Sequence, residues 1–183
     1  MLPFTYGNLW RTLMYATIFD SPIGPILLQS DGLNITEIRT RWTAEKHLPE
    51  NVSWSKDCGL LQDLSQQLAE YFAGTRKTFD LPLKPSGTEF QKTVWQELTN
   101  VPYGATISYG TLAHRIGNSN ASRAVGLANG RNPLPIVIPC HRVIGANGTL
   151  VGYGGGLPIK QFLLNLEKKD IPTLQFELDP VVV

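Results

Sequence analysis

The sequence predicts an α+β chain. A small three-stranded antiparallel sheet with helices fills the N-terminal half, and a mostly helical C-terminal half carries a helix-turn-helix. Three observations point there. From Tyr15 to about Trp42, short apolar runs alternate with turn residues. From Leu60 to Phe72 the apolar residues recur at helical spacing. Beyond Gly87, three helical segments follow one another closely.

Taken in order, residues 1–14 show no clear period and read as a loosely attached arm. Ser21-Pro22-Ile23-Gly24-Pro25 parts YATIF from ILLQS, and Asp31-Gly32 parts ILLQS from LNITEIRT, so hairpins joining three strands are the simplest reading. Polar sequence follows through Lys56. Leu60, Leu61, Leu64, Leu68, Tyr71 and Phe72 then make one helical stripe, with Gly74 as its stop. Thr75–Gly87, with Pro82 and Pro85, reads as a linker. It divides an N-terminal support domain, 1–84, from a C-terminal domain, 85–183. Phe90, Val94, Trp95 and Leu98 share the next stripe. Ser108 is placed to cap a helix running to Ile116 that buries Leu112, Ala113 and Ile116. An NSN turn leads into ASRAVGLANG (121–130), and the pair resembles a helix-turn-helix. Asn147-Gly148 reads as a turn and GYGGG (152–156) as a flexible loop. Pro158 suits the first turn of a last helix reaching about Lys168, with Phe162, Leu163 and Leu166 inward.

Composition narrows the function. With 42% apolar and 17% charged residues the chain is an ordinary soluble globular protein. A formal charge of +1 means that any contact with nucleic acid must come from a local basic face. Two cysteines, Cys58 and Cys140, make no disulfide framework, so a reducing, cytoplasmic setting is expected. Asp20 ends the apolar run Leu13–Phe19, no cleavage pattern follows, and nothing approaches the length of a membrane span. GYGGG lacks the Gly-Lys-Ser/Thr ending of a phosphate loop, so nucleoside triphosphate binding has no support.

The stretch with chemistry in it is PIVIPCHRVIG (135–145). Ile136, Val137 and Ile138 read as a short buried strand, and Pro139 fixes the direction in which the chain leaves it. Cys140 follows, with His141 and Arg142 beside it. A thiol is strongly nucleophilic only as thiolate, which an imidazole or a cation favours. The alternative is a cysteine that is only a small buried hydrophobe. The helix 121–130 is also ambiguous. Ala121, Ala124, Gly126, Ala128 and Gly130 strip it of bulk, either for tight packing against another helix or for close approach of a duplex, with Arg123 its one long cation. Glu167 falls on a last helical turn, where the dipole disfavours a carboxylate, and by position alone is a solvated residue.

PCHRV, preceded by RNPLPIVI and followed by GYGGG and LLNLE, resembles the O6-alkylguanine-DNA alkyltransferases, also called methylated-DNA–protein-cysteine methyltransferases. The resemblance is close over 90–167 and looser from Tyr15 onward. It implies a two-domain fold and an irreversible, single-turnover transfer of an alkyl group from O6-alkylguanine, and from O4-alkylthymine, in duplex DNA to the protein's own cysteine. The damaged base is flipped out through the minor groove. Cys140 then matches the acceptor, His141 the base that takes the thiol proton through a water, and Glu167 the carboxylate that orients that imidazole. Asn132 matches the residue bracing the turn into the active site. Tyr109 matches the hydroxyl donor to guanine N3. Tyr153 and the backbone of Gly154 match the loop closing on the base, and Val143 joins them in the substrate-binding set. Arg123 matches the finger that fills the gap in the stack. Ala121, Ser122, Ala124 and Gly126 around it let the helix lie in the groove. A monomer without cofactor is expected.

Gly154 stands where some relatives carry serine, which leaves only a backbone donor to O6 and a roomier pocket. Some relatives hold a structural zinc, but His47 and Cys58 cannot make a tetrahedral set, so no metal is expected. His114 is expected on the outer face of its helix, and Arg142 in a structural role. Two rival readings remain. One is a cysteine hydrolase using Cys140 and His141, which leaves Arg123 and the helix pair without a use. The other is a module that only binds alkylated DNA, a class that lacks the acceptor cysteine.

Overall fold

The computed structural model describes residues 14–41, 52–54 and 59–169. The expected N-terminal arm up to residue 13, together with His47, Cys58 and the tail beyond Lys169, lies outside the described residues.

Strands β1 (Met14–Ser21), β2 (Gly24–Ser30) and β3 (Ile35–Arg39) form the expected antiparallel hairpins. Each turn is closed by a side chain. Ser21 Oγ donates to Gly24 O at 2.6 Å and accepts from Ile23 N. Asp31 Oδ1 accepts from the backbone N–H of Leu33 and Asn34. A fourth strand, β4 (Val52–Trp54), runs parallel to β1 and makes the order β3-β2-β1-β4. It lies in the stretch read as a polar connection. Three residues are too few to display an alternating pattern, so only the partner strand reveals it.

Helix α1 (Gly59–Phe72) buries Leu61, Leu64, Leu68 and Tyr71 and ends at Gly74, whose φ of 79° suits glycine. The expected linker is strapped to what precedes it. Ile35 N donates to Pro82 O and Lys84 N to Ile35 O, while both amide atoms of the Gln67 side chain bond the backbone of Asp80. A Cβ on Gly87 would stand 2.5 Å from the Trp95 ring, so only glycine fits beneath that indole.

Helix α2 (Glu89–Leu98) opens with a capping box in which Thr88 and Gln91 bond each other's backbone. Val94, Trp95 and Leu98 are buried as expected, but Phe90 is 37% exposed. At ~100° per residue it sits about 90° round from the centre of that stripe. Helix α3 (Tyr109–Arg115) is capped by Ser108, whose Oγ accepts from Thr111 N. A 3-10 turn over Ser119–Ala121 leads into α4 (Ser122–Gly130), giving the expected helix, short turn and helix. His114 is exposed, as expected, and meets the Ser119 hydroxyl. Trp95 Nε1 donates to Ala128 O at 2.9 Å and locks α2 to α4. The pair β5 (Ile107–Ser108) and β6 (Val143–Ile144) sets the start of α3 beside the segment after Cys140.

Helix α5 (Leu157–Lys169) buries Lys160, Leu163, Leu164 and Glu167 on one face. Phe162, expected inward, lies on the far side at 37% exposed and meets the Phe72 ring at 6.5 Å. The hydrophobic core runs unbroken from Ile26, Leu28 and Ile38 through α1 to Trp95, Val125 and Leu163. No helix among the described residues is long and apolar enough to cross a membrane.

Candidate active site

The strand expected at Ile136–Ile138 is a turn. Pro135 and Ile138 pair across it, and Ile136 sits at φ 77°, a left-handed conformation rare for a β-branched residue. All three residues are buried, and a short apolar run reports burial without fixing backbone angles. Asn132 dictates the turn. Its Nδ2 donates to Ile138 O at 2.7 Å and its Oδ1 accepts from Leu134 N at 3.0 Å. Beyond Pro139, Cys140–Arg142 forms one turn of 3-10 helix.

Cys140 is 3% exposed, and Asn129 Nδ2 donates to its carbonyl at 3.2 Å. Burial pushes the thiol up to about 11, although Asn132, Lys160 and the backbone N–H groups of Cys140 and His141 pull the other way. The neighbours expected to favour thiolate therefore do not prevail in the free protein. Arg142 turns its guanidinium away to Glu167, and the thiol is neutral at pH 7. An adjacent base must take its proton.

Glu167 is fully buried and is the hub of the site, not a solvated residue. Its Oε1 meets His141 Nε2 at 2.7 Å, Tyr71 Oη at 2.8 Å and Arg142 Nη2 at 2.9 Å. Its Oε2 accepts from Arg142 Nε at 2.9 Å and Gly104 N at 3.0 Å. Burial alone would raise its pKa, but His141 and Arg142 together hold it well below the ordinary carboxylate range. Arg142 also donates to Val101 O at 2.7 Å, the structural role expected of it. Burial lowers the His141 pKa, and Glu167 opposes that only in part. The imidazole is neutral, anchored through Nε2, and its buried Nδ1 makes no hydrogen bond within the protein.

Two cavities meet at the loop 151–155. An inner chamber of about 350 Å³ is lined by Cys140, Asn129, Asn132, Pro135, Tyr153 and Gly154, with the end of β3 as its far wall. An outer groove of about 760 Å³ is lined by Tyr109, Arg123, Gly126, Leu127, Val151 and Tyr153. Tyr153 Oη and Asn129 Oδ1, on two residues that line the inner chamber, are buried and make no hydrogen bond within the protein. Tyr109 Oη donates to Val151 O at 3.1 Å. Lys160, fully buried, donates from Nζ to Val143 O at 2.6 Å, Val151 O at 2.8 Å and Gly152 O at 3.4 Å. Val143 is itself buried and lines neither cavity, and its carbonyl is engaged by Lys160.

Two of the small residues of α4 are not required by internal packing, whereas Ala128, 1% exposed, lies in the core. A Cβ on Gly130 meets nothing within 4 Å, and one on Gly126 would make only ordinary contact with the Tyr109 ring at 3.7 Å. Ala121 and Ser122 are half-buried, and Ala124 is exposed beside the exposed Arg123. Both readings of this helix keep ground: Ala128 packs in the core and meets Trp95 of α2, while Ala124 and Gly130 stand exposed. A Cβ on Gly154 would reach Gly130 O only at 3.6 Å, an ordinary contact.

Residues 14–85 match the family model described as "6-O-methylguanine DNA methyltransferase, ribonuclease-like domain", and 89–169 match "6-O-methylguanine DNA methyltransferase, DNA binding domain". The chain belongs to the methylated-DNA–protein-cysteine methyltransferase family. A methyltransferase of that name from Methanosarcina acetivorans is 53% identical over 154 residues, covering 84% of this chain and 98% of the relative. The structure is similar to the Mycobacterium tuberculosis protein OGT in complex with DNA, with a TM-score of 0.78 at 45% identity, over 87% of this chain and 96% of that one. A Methanococcus jannaschii O6-methylguanine DNA methyltransferase is 28% identical at a TM-score of 0.66, over 90% and 100%.

Within this methyltransferase fold, several residues beyond those the sequence points to build the site. Tyr71 reads in the sequence as one more apolar position of α1, yet its hydroxyl reaches Glu167 from the N-terminal half. A tyrosine on a fully buried stripe was the available signal, since a buried hydroxyl needs a partner. Lys160 had a signal too. It lies seven residues before Glu167, so Lys160, Leu163, Leu164 and Glu167 form one stripe with a charge at each end. Gly104 and Asn129 had none. Among the described residues, no group of three His, Cys, Asp or Glu side chains is placed to hold a metal ion.

Proposed function

We propose that Cys140 takes an alkyl group, methyl above all, from O6 of guanine in duplex DNA, once per molecule. The observation that carries this is a buried thiol facing a chamber of about 350 Å³, with a buried His141–Glu167 pair behind it. Arg123, Ala124 and Gly130 of α4 stand exposed, and a Cβ on Gly130 would meet nothing within 4 Å. In the step, the sulfur attacks the alkyl carbon and a C–S bond forms as the C–O6 bond breaks. The electron pair goes to the departing guanine, which takes up at N1 a proton from solvent as the charged His141 returns its own to solvent. The thiol proton passes to His141 Nδ1 through a bridging water, and Glu167 holds the ring by Nε2 and stabilises its charged form. Tyr109 Oη exchanges its bond to Val151 O for one to guanine N3, and donation there eases departure of the base. The backbone of Gly154 serves O6, and Tyr153 lies over the base.

A base inside the stack is out of reach of a buried thiol, so the damaged nucleotide is flipped out. Arg123 fills the gap, and α4 lies in the minor groove, with the small residues Ala121 just before it and Ser122, Ala124 and Gly126 along it. O4-alkylthymine presents the same alkyl–oxygen bond and belongs to the same substrate class. The Mycobacterium tuberculosis relative's complex with DNA supports the duplex as partner. A division near residues 84 and 85, a monomer and a reducing, cytoplasmic setting complete the reading.

The test is a mass measurement. Mixed with a duplex containing O6-methylguanine, the protein should gain one methyl on the peptide containing Cys140 and then stop, and Cys140→Ala should gain none. Repeated turnover would favour the hydrolase, and binding without mass gain the binding module.

A further inference from the structure

Glu167 Oε1 faces three donors, His141 Nε2 at 2.7 Å, Tyr71 Oη at 2.8 Å and Arg142 Nη2 at 2.9 Å, while Oε2 accepts from Arg142 Nε and Gly104 N. An ionised carboxylate offers about two lone-pair sites on each oxygen, so the three donors on Oε1 compete for the charge of one atom. Tyr71 differs from the other two. It comes from α1 in the N-terminal half, 96 residues away in sequence, and meets Oε1 alone. Its side chain is 0% exposed, and its ring is held among Phe72, Phe79 and Tyr103 with ring centres 5.5, 5.6 and 6.1 Å away. Burial and the neighbouring Glu167 keep the phenol protonated, so it is a permanent donor. Packing does not call for the hydroxyl. A phenylalanine ring fills the same space, and Oε1 without Tyr71 still has two donors.

We propose that Tyr71 is a positioning residue of the transfer, whose hydroxyl keeps Glu167 Oε1 turned toward His141 Nε2 and takes up part of that oxygen's charge. The imidazole then stays neutral and free to receive the thiol proton at Nδ1. This rests on His141 being the base toward Cys140. A carboxylate oxygen given more fully to the ring would draw a proton onto it, and a ring already charged takes none from the thiol. The other charged and titratable groups around His141 stay in place when the hydroxyl is removed. Arg142 and Lys160 are cations, and both disfavour charge on the ring. Cys140 is an uncharged thiol, raised by burial. Further out, Arg142 Cζ and Lys77 Nζ stand 5.7 and 5.6 Å from the centre of the Tyr103 ring. Tyr71 is therefore the donor that can be subtracted from Oε1 without subtracting a charge.

The experiment compares the parent chain with Tyr71→Phe by two readouts. The first is the single-turnover transfer rate at saturating O6-methylguanine duplex across the acid limb of its pH profile. With one competitor fewer on Oε1, His141 gains basicity and must be deprotonated at higher pH. The limb is expected about half a unit further alkaline, roughly threefold slower at a fixed pH on the rise. The second is the proton resonance of His141 Nε2–H in the free protein, which should move downfield as its bond to Oε1 strengthens. A hydroxyl that only fastens α1 to α5 would lower the melting temperature and leave both readouts in place. A superimposed profile or an unmoved resonance therefore overturns the proposal. If Tyr71→Phe does not fold, 3-fluorotyrosine at position 71 decides. Its hydroxyl is the stronger donor, so the limb should move toward acid and the resonance upfield, and no movement or the opposite one refutes the role. Failure of the parent itself to acquire a methyl on Cys140 would instead refute the reading of the site, and the resonance would still report how Oε1 is shared.

Discussion

Replacing Glu167 by glutamine tests whether the buried carboxylate organises the site. The side chain keeps its shape, but one amide oxygen now faces five donors, and an NH2 group must sit where an acceptor stood. The Arg142 guanidinium, 6% exposed, loses its counter-charge, and His141 Nε2 loses the anion that fixes it. Removing one partner of a buried ion pair costs about 3–5 kcal/mol. For a chain of this size that is a fall of about 6–20 °C in melting temperature. The variant should still fold, because domains have about 5–15 kcal/mol in hand. The pH dependence gives a sharper check. The folded-state pKa of Glu167 lies below its unfolded value, so its stabilisation is complete above about pH 5, once the unfolded carboxyl is ionised. It is lost as pH falls through the lower, folded value. The stability difference between parent and Glu167→Gln, from urea unfolding, should therefore be constant from pH 5 to 7 and shrink steadily below pH 4. A difference under about 1 kcal/mol at pH 7, or one that ignores acidification, would refute the hub role.

Three further outcomes follow from the same geometry. Asn132→Ala takes its partner from Leu134 N and leaves Ile138 O with Cys140 N alone, in a turn with Ile136 at φ 77°, and should lower stability by about 1–3 kcal/mol in urea while slowing transfer. Arg123→Ala should weaken duplex binding and reduce the slope of log affinity against log salt by about 0.9, because one cation fewer then displaces counterions from the duplex; unchanged affinity and slope would remove Arg123 from the interface. Methylation of Cys140 enlarges a side chain that is 3% exposed, and the modified protein should melt lower by the equivalent of about 1–3 kcal/mol in calorimetry. Equal or higher melting would show that the chamber accepts the methyl without repacking.

The strands, the helices and their caps were legible because each rests on neighbours in sequence. Ser108 caps α3 by bonding a residue three positions on, and Asp31 closes its turn in the same way. Turn residues and helical stripes likewise record local φ/ψ choice and burial. By itself the sequence also determined the chemistry on offer, through PCHRV and its spacing to Asn132, Tyr153 and Glu167. What it could not determine was the environment of those groups. Short apolar runs at Ile136–Ile138 and a polar stretch at Val52–Trp54 took their backbone form from partners elsewhere in the chain. Whether Glu167 met water or five donors depended on Tyr71, 96 residues away, and on Gly104, 63 residues away. The thiol was raised and Lys160 left without a counter-charge by burial, which is a property of the packed interior alone. Desolvation and long-range hydrogen bonds come into being only when distant segments meet, and for that reason the tertiary structure decided them.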